Sequence, residues 1–216
     1  KTVEAVLKYN LNTKEEAQKL LESIKGQEFK VADVEVKPSK RTPAAPFTTS
    51  TLQQEASRKH GFVVSQTMRI AQGLYEAGHI TYMRTDSVNL SQTAIDGASR
   101  EIENSFGNEY LKVRQYANKN KGAQEAHEAI RPTNFDLQEA PGDEQAKKLY
   151  KLIRNRTLAS QMADAELEKT NVTFNPNGNT SNFLAKGEVI KFDGFLRVYI
   201  EGTDDENTEE AGLLPP

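Results

Sequence analysis

The chain has 216 residues, 36% of them hydrophobic and 27% charged, and a formal net charge of -3. That length allows one large or two small domains with a real core, and nothing in it reads as a bilayer span or a secretory leader, so a soluble, intracellular protein without membrane contact is expected. The absence of cysteine excludes disulfides, thiolate metal sites and cysteine nucleophiles, which leaves Ser, Thr, Tyr, Lys and the carboxylates.

In chain order, Val3, Ala5 and Leu7 alternate, and Thr13 with Glu16 forms a capping-box pattern ahead of a helix carrying Ala17, Leu20, Leu21 and Ile24, which Gly26 ends. Phe29, Val31, Val34 and Val36 predict a strand, and Pro38, Pro43 and Pro46 then punctuate a segment expected to hold no regular structure, where a domain boundary is placed. Residues 50–60 and 65–77 read as helices, the second with a stripe of Met68, Ala71, Leu74 and Tyr75 and a stop at Gly78. A short β-like run covers His79 to Arg84. Ser91 can cap a helix bearing Ala94, Ile95, Ala98 and Ile102, and residues 143–162 form the next helix. From Leu167 the period changes to two through Val172, Phe174, Phe183, Ala185, Val189, Ile190, Leu196, Val198 and Ile200. Turns are expected at Asn175 to Gly178, Lys186-Gly187 and Asp193-Gly194, and the acidic stretch 203–212 is expected to be flexible.

Charge is unevenly spread along this order. Between Pro38 and Ile70 the cations Lys40, Arg41, Arg58, Lys59 and Arg69 meet the single acid Glu55, whereas Glu201, Asp204, Asp205, Glu206, Glu209 and Glu210 crowd the end. The first stretch can face phosphate, although solvated surface charge explains any one of its residues equally well.

Three clusters carry chemistry. In Ile80-Thr81-Tyr82-Met83-Arg84-Thr85-Asp86-Ser87, alternation puts Tyr82 and Arg84 on one face, roughly 6.5–7 Å apart along an extended chain. A phenol with a pKa of about 10 is a poor nucleophile at neutral pH unless cations or donors stabilise the phenolate and the charge growing on its target. A guanidinium, permanently charged and able to grip two phosphate oxygens at once, fits that need; a tyrosine in such a run is otherwise an ordinary packing residue. The second cluster, His127-Glu128-Ala129-Ile130-Arg131-Pro132-Thr133, begins like a zinc helix, but Arg131 stands where the second ligand belongs. His127 and Arg131 on one helical turn would both reach an anion, or the segment is simply a helix end stopped by Pro132. The third is Pro46-Phe47-Thr48-Thr49-Ser50-Thr51-Leu52-Gln53-Gln54, whose hydroxyls at a helix start suit an anion, and Thr49 or Ser50 equally suits a helix cap. Neither a phosphate-cradling glycine loop nor an Asp-x-Asp pair is evident, and no metal site is expected in the chain.

These clusters, in this order, resemble the type IA DNA topoisomerases, in particular the bacterial type I enzymes. Residues 46–54 match their PFTTSTLQQ segment, 78–90 their GxITYMRTDSxxL active-site motif and 126–133 their AHEAIRPT motif; residues 71–76 and Gln161-Met162 also agree. The resemblance implies an α+β, multidomain fold in which a helical domain, residues 41–165, is inserted into a mainly antiparallel β arch domain, residues 1–40 and 166–216. It further implies that Tyr82 attacks a single-stranded DNA phosphodiester, leaving a transient 5′-phosphotyrosine link and a 3′-hydroxyl, so that negatively supercoiled DNA is relaxed without ATP. Arg84 would contact the scissile phosphate, Thr81 and Asp86 would support the site, and His127, Arg131, Gln72, Glu76, Thr49 and Ser50 would hold DNA or line the site. The family's magnesium-binding Toprim domain has no counterpart in the sequence, so Mg2+ is expected to belong to a parent protein, held in cis by that domain. The chain would then be a central fragment, not competent alone, of a monomeric, cytoplasmic, nucleoid-associated enzyme. Two other readings start from the same residues: a non-catalytic single-strand module with Tyr82 stacking on a base, and a protein-binding piece that uses its β edges and acidic end.

Overall fold

The computed structural model describes residues 2–116, 127–177 and 181–200; the expected flexible stretch 203–212 and Ala126 lie outside them. Mixed helix and antiparallel sheet divide into two compact units, one drawn from residues 2–40 and 166–192 and the other from 41–165 and 193–200. No helix among the described residues is long and apolar enough to cross a membrane.

The first unit holds β1 (Val6–Leu7), α1 (Lys14–Ile24), β2 (Phe29–Arg41), β3 (Ala165–Pro176) and β4 (Phe183–Phe192), with the sheet ordered β1-β4-β3-β2. Both β1 and β3 run antiparallel to β4. Thr13 caps α1 by accepting from the Glu16 amide, but Glu16 reaches back to the amide of Asn12 rather than to that of Thr13. Two expectations fail here. The strand over Phe29 to Val36 runs on through Pro38 to Arg41, because β2 is an edge strand and a proline without an N–H is tolerated there. Lys186-Gly187 is no turn, since Gly187 pairs with Thr170 within one continuous β4.

The second unit is built from α2 (Thr49–His60), α3 (Val64–Glu76), α4 (Gln92–Phe106) and α5 (Glu144–Ser160). Each of three helices starts on a side-chain oxygen: Thr48 in a capping box with Thr51, Ser91 accepting from Ala94, and Asp143 accepting from Ala146. The cap of α2 is thus Thr48, not Thr49 or Ser50. Helix α5 is the centre of the core, burying Leu149, Tyr150, Leu152, Ile153 and Leu158 against Ile70, Ala71 and Leu74 of α3 and Ala94, Ile95 and Ile102 of α4. Burying one such aliphatic side chain contributes about 1.5–3 kcal/mol. The buried stripe of α3 is Thr67, Ile70, Ala71 and Leu74; Tyr75, expected within it, stands at the surface.

Residues 193–200 were expected to add a strand, and they do not. They form a 3-10 turn, Gly194–Arg197, and return to the helices. Gly194 has φ +50° and lies so close to the chain at Asp164 that a Cβ would sit 2.4 Å from the carbonyl oxygen. Tyr199 then enters the core, donating to Glu55 at 2.9 Å and accepting from Arg156 at 3.2 Å, with the Arg156 guanidinium 5.2 Å from its ring. Burial of one aromatic ring with both polar partners satisfied outweighs the period-two pattern of Leu196, Val198 and Ile200.

A third feature knits the unit from within. Residues 127–133, expected as a helical turn, are extended. The Ile130 amide donates to Phe47 and the Ala129 amide to Asn89, both at 2.8 Å, while the Thr81 amide donates to Arg131 at 2.9 Å and the Thr133 amide to His79 at 3.0 Å. Four backbone bonds thus tie together three stretches that are distant in sequence, and Pro132 sits opposite Ile80. Glu128 reinforces this spine: it accepts from the Ser91 amide at 2.6 Å and grips Arg131 through Nη2 at 2.6 Å and Nε at 3.3 Å. Burial alone raises the Glu128 carboxyl, but the bonds from Arg131 and Ser91 outweigh it and hold the group below its ordinary value.

A depressed carboxyl stabilises the fold above its unfolded pKa and loses that contribution as the pH falls through the folded one. Glu128→Gln is therefore expected to cost about 1 kcal/mol near neutral pH, the scale of a partly exposed forked ion pair. In denaturant melts the difference from wild type should close as the pH is taken well below 4.5. A constant difference at all pH values would contradict the assignment.

Candidate active site

The stretch between α3 and α4 carries Tyr82. Helix α3 ends in a tight reversal: the amides of Ala77, Gly78 and His79 donate to the carbonyls of Gly73, Tyr75 and Leu74, and Gly78 takes φ +75°, a conformation that suits glycine. His79 to Arg84 is not a strand, since its only ladder feature is the Ile80 bridge to Pro132. Alternation holds all the same. Met83, Thr85 and Ser87 are buried while Tyr82, Arg84 and Asp86 are exposed, so the predicted shared face is real without a sheet behind it.

Two threonine hydroxyls hold this extended stretch in place. Thr81 Oγ1 donates to the Ala129 carbonyl at 2.7 Å and accepts from the Arg131 amide at 3.0 Å, fixing the residue before Tyr82 to the 127–133 spine. Thr49, in the first turn of α2, donates its hydroxyl proton toward the carbonyls of Met83 (2.8 Å) and Thr85 (3.1 Å) and accepts from the Thr85 amide (2.9 Å). The Thr49 amide also donates to Thr85 at 2.9 Å. Residues 83–85 are thereby bound to the start of a helix. Thr85 and Ser87 continue the local bonding, accepting from the amides of Ser87 and Asn89.

An open depression of about 420 Å³ lies beside this stretch, lined by Thr49, Ser50, Arg84, Thr85, Asp86 and His127. The structure therefore brings together five of the residues singled out from sequence. The side chains of Arg84, Asp86 and His127 have no hydrogen-bond or ion-pair partner among the described residues, so a guanidinium and an imidazole face an open cavity at the first turn of α2, where the Thr49 and Thr51 amides are already bonded to Thr85 and Thr48. Arg131 is not among them. Its side chain is 14% exposed and is taken up by Glu128, so the expected pair of His127 and Arg131 separates into one cavity residue and one spine residue. Gln72 and Glu76 are exposed on α3, hydrogen-bonded to each other at 2.8 Å, and do not line the cavity.

Two residues of consequence escaped the sequence reading. Glu128 is the partner that fixes Arg131, and the only trace of this was an acid three residues before a guanidinium. Tyr75 packs edge to face on Tyr82, with ring centroids 5.3 Å apart and planes at 67°; its place beside Leu74 gave the appearance of a core residue.

The seven tyrosines divide by environment. A hydrogen bond to Asp193 pushes the Tyr110 hydroxyl up, and burial does the same to Tyr116, Tyr199 and Tyr150, the last to about 12. These four are held as neutral donors or acceptors inside the helical unit. Tyr9 bonds Ser181 in the other unit. Tyr75 and Tyr82 stand exposed, at 42% and 41%; neither lines the cavity, and only Tyr82 shares a stretch with Arg84.

A family model described as DNA topoisomerase matches residues 1–215. The chain is 46% identical over 207 residues to the DNA topoisomerase 1 of Zymomonas mobilis subsp. mobilis, covering 95% of this chain and 17% of that protein. It is 45% identical over 225 residues to that of Rickettsia bellii, covering 97% and 28%, and 48% identical over 202 residues to that of Streptomyces coelicolor, covering 89% and 21%. Among solved structures, full-length topoisomerase I from Thermotoga maritima superimposes with a TM-score of 0.79 at 35% identity, over 94% of this chain and 35% of that one. The chain thus spans between 17% and 28% of the length of these curated relatives. With its three motifs in order and the match extending over nearly its whole length, the chain belongs to the type IA DNA topoisomerase family.

Proposed function

We propose that this chain supplies the nucleophile of a DNA topoisomerase. Tyr82 attacks a phosphodiester of single-stranded DNA, the bond from its phenolic oxygen to phosphorus forms as the bond to the 3′ oxygen breaks, and that oxygen leaves as a 3′-hydroxyl. The 5′-phosphotyrosine link keeps the phosphoester energy, so another strand can pass and the break reseal without ATP, relaxing negatively supercoiled DNA. One observation supports this reading above the others: an exposed tyrosine stands two residues from an unpaired guanidinium that lines an open cavity. In that arrangement Arg84 offers two N–H donors to the non-bridging oxygens of the scissile phosphate, stabilising charge as it develops. His127, Ser50 and the start of α2 take a neighbouring phosphate, Asp86 borders the same cavity, Thr81 and Thr49 hold the chain on which the nucleophile sits, and Gln72 and Glu76 present polar groups on the outer side of α3. Arg131 serves DNA indirectly, by fixing the spine through Glu128.

Magnesium enters this proposal outside these residues. Among the described residues no group of three or more His, Asp or Glu side chains is arranged to hold a metal ion, and no step is assigned to one here. We place the ion in a Toprim domain elsewhere in the parent protein, acting in cis, and on this reading the chain alone binds single strands without turning over. The first unit, a four-stranded sheet, is read as part of an arch over the DNA passage into which the helical unit is inserted, in a monomeric enzyme of the bacterial cytoplasm acting at the nucleoid.

Tyr82→Phe in the complete parent protein is expected to abolish covalent capture of a single-stranded oligonucleotide while leaving its affinity within about twofold, since only a hydroxyl is lost. Retained adduct would contradict the reading, as would a Tyr82→Phe enzyme that still relaxes plasmid. Arg84→Ala is expected to slow adduct formation by about 10²-fold or more, on the scale of removing one transition-state donor. It should also flatten the slope of log affinity against log salt by about 0.7, the value of one phosphate contact on a single strand; an unchanged slope would remove Arg84 from the phosphate.

A further inference from the structure

Tyr82 has a well-held backbone and a loosely held ring. Thr81 and Thr49 fix the chain on either side, yet the Tyr82 hydroxyl has no hydrogen-bond partner among the described residues, and the side chain is 41% exposed. A surface tyrosine with two free side-chain torsions samples several staggered rotamers, whereas in-line attack on phosphorus needs one of them, with the reacting atoms about 3–3.5 Å apart. Among the described residues, one other aromatic ring touches it. Tyr75, on the last turn of α3, stands edge to face against Tyr82 at 5.3 Å and 67°, and the reversal at Gly78, with the Thr133 hydroxyl donating to the Gly78 carbonyl at 2.6 Å, sets the two rings side by side. The helix that carries Tyr75 is itself anchored through the buried Ile70, Ala71 and Leu74, so the point from which its ring reaches Tyr82 is fixed.

We infer that Tyr75 is a positioning residue for the nucleophile. Its ring limits Tyr82 to the rotamer that presents the phenolic oxygen toward the side of the chain where Arg84 meets the scissile phosphate. This rests on the reading of Tyr82 as the nucleophile and adds a role that the three sequence motifs do not require. Tyr75 itself forms no bond to the reacting atoms: its contribution is the edge of its ring, and its hydroxyl is dispensable.

The test uses the complete parent protein, a labelled single-stranded oligonucleotide and single-turnover trapping of the covalent adduct. At saturating oligonucleotide, Tyr75→Ala is expected to lower the rate constant for adduct formation by about 2- to 10-fold, the span that an edge-to-face aromatic contact supports, with Kd unchanged. Tyr75→Leu, which keeps apolar bulk without a ring, should show the same loss and guards against a packing defect in the alanine variant. Tyr75→Phe should restore the wild-type rate. A wild-type rate in both Tyr75→Ala and Tyr75→Leu overturns the inference. So does a loss confined to Kd, which would make the ring a stacking platform for a base, or a failure of Tyr75→Phe to restore the rate, which would make the hydroxyl the active part. Adduct that persists in Tyr82→Phe would instead sink the nucleophile assignment, so the two failures are read separately.

Discussion

The geometry around Tyr82 depends on two threonine hydroxyls that act as backbone substitutes. A strand would hold its residues by a continuous ladder of amide and carbonyl bonds; past the reversal that ends α3, the stretch from His79 to Ser87 has only the bridge at Ile80 and the bond from the Thr49 amide to Thr85. Thr81 bonds the 127–133 spine through both a donor and an acceptor, and Thr49 does the same for residues 83–85. Each hydroxyl satisfies groups that would otherwise be left unmade near the core, where an unsatisfied donor or acceptor costs about 1–3 kcal/mol. The arrangement leaves residues 82, 84 and 86 facing outward with no sheet neighbour across them. An extended chain open on one side and pinned on the other is the form on which the proposed contact with a DNA strand rests.

This view changes what several polar residues are for. Thr49, Thr81 and Arg131 all sit in motifs that suggest direct contact with an anion, yet each is occupied within the protein: two by backbone groups and one by Glu128. The groups left for a ligand are fewer, namely Arg84, His127 and Asp86 around one cavity, since the Ser50 hydroxyl bonds that of Thr48 at 3.2 Å. Among the described residues that line the cavity, the fixed charges are one guanidinium and one carboxylate, Arg84 and Asp86, and not a basic patch, in keeping with a chain whose overall balance is slightly acidic.

Much of the helical unit was legible in the sequence because its signals are local. Ser91, Asp143 and Gly78 act at the positions where capping rules place them, and the stripes of α4 and α5 follow the helical period. The candidate site was legible in part: alternation correctly paired Tyr82 with Arg84, and the family motifs singled out His127, Thr49 and Ser50. What escaped is non-local. Residues 127–133 are extended because Phe47, Thr81 and Asn89 claim their backbone groups, and residues 193–200 abandon a strand pattern because Tyr199 finds Glu55 and Arg156 in the helical core. Pro38 stays in a strand because that strand is at an edge. None of these partners can be read from spacing, and the same holds for Tyr75, whose ring meets Tyr82 only after the chain has turned at Gly78.

The central claim is that one phenolic oxygen, that of Tyr82, takes the DNA phosphate. Its most direct test is to trap the complete parent protein on a single-stranded oligonucleotide, digest both components and locate the remaining nucleotide by peptide mass spectrometry. The account predicts a 5′-phosphonucleotide on the peptide containing Met83 and Arg84, attached at Tyr82. A nucleotide found on Tyr75, on any serine or threonine of the 48–51 run, or on a peptide outside this chain would contradict it.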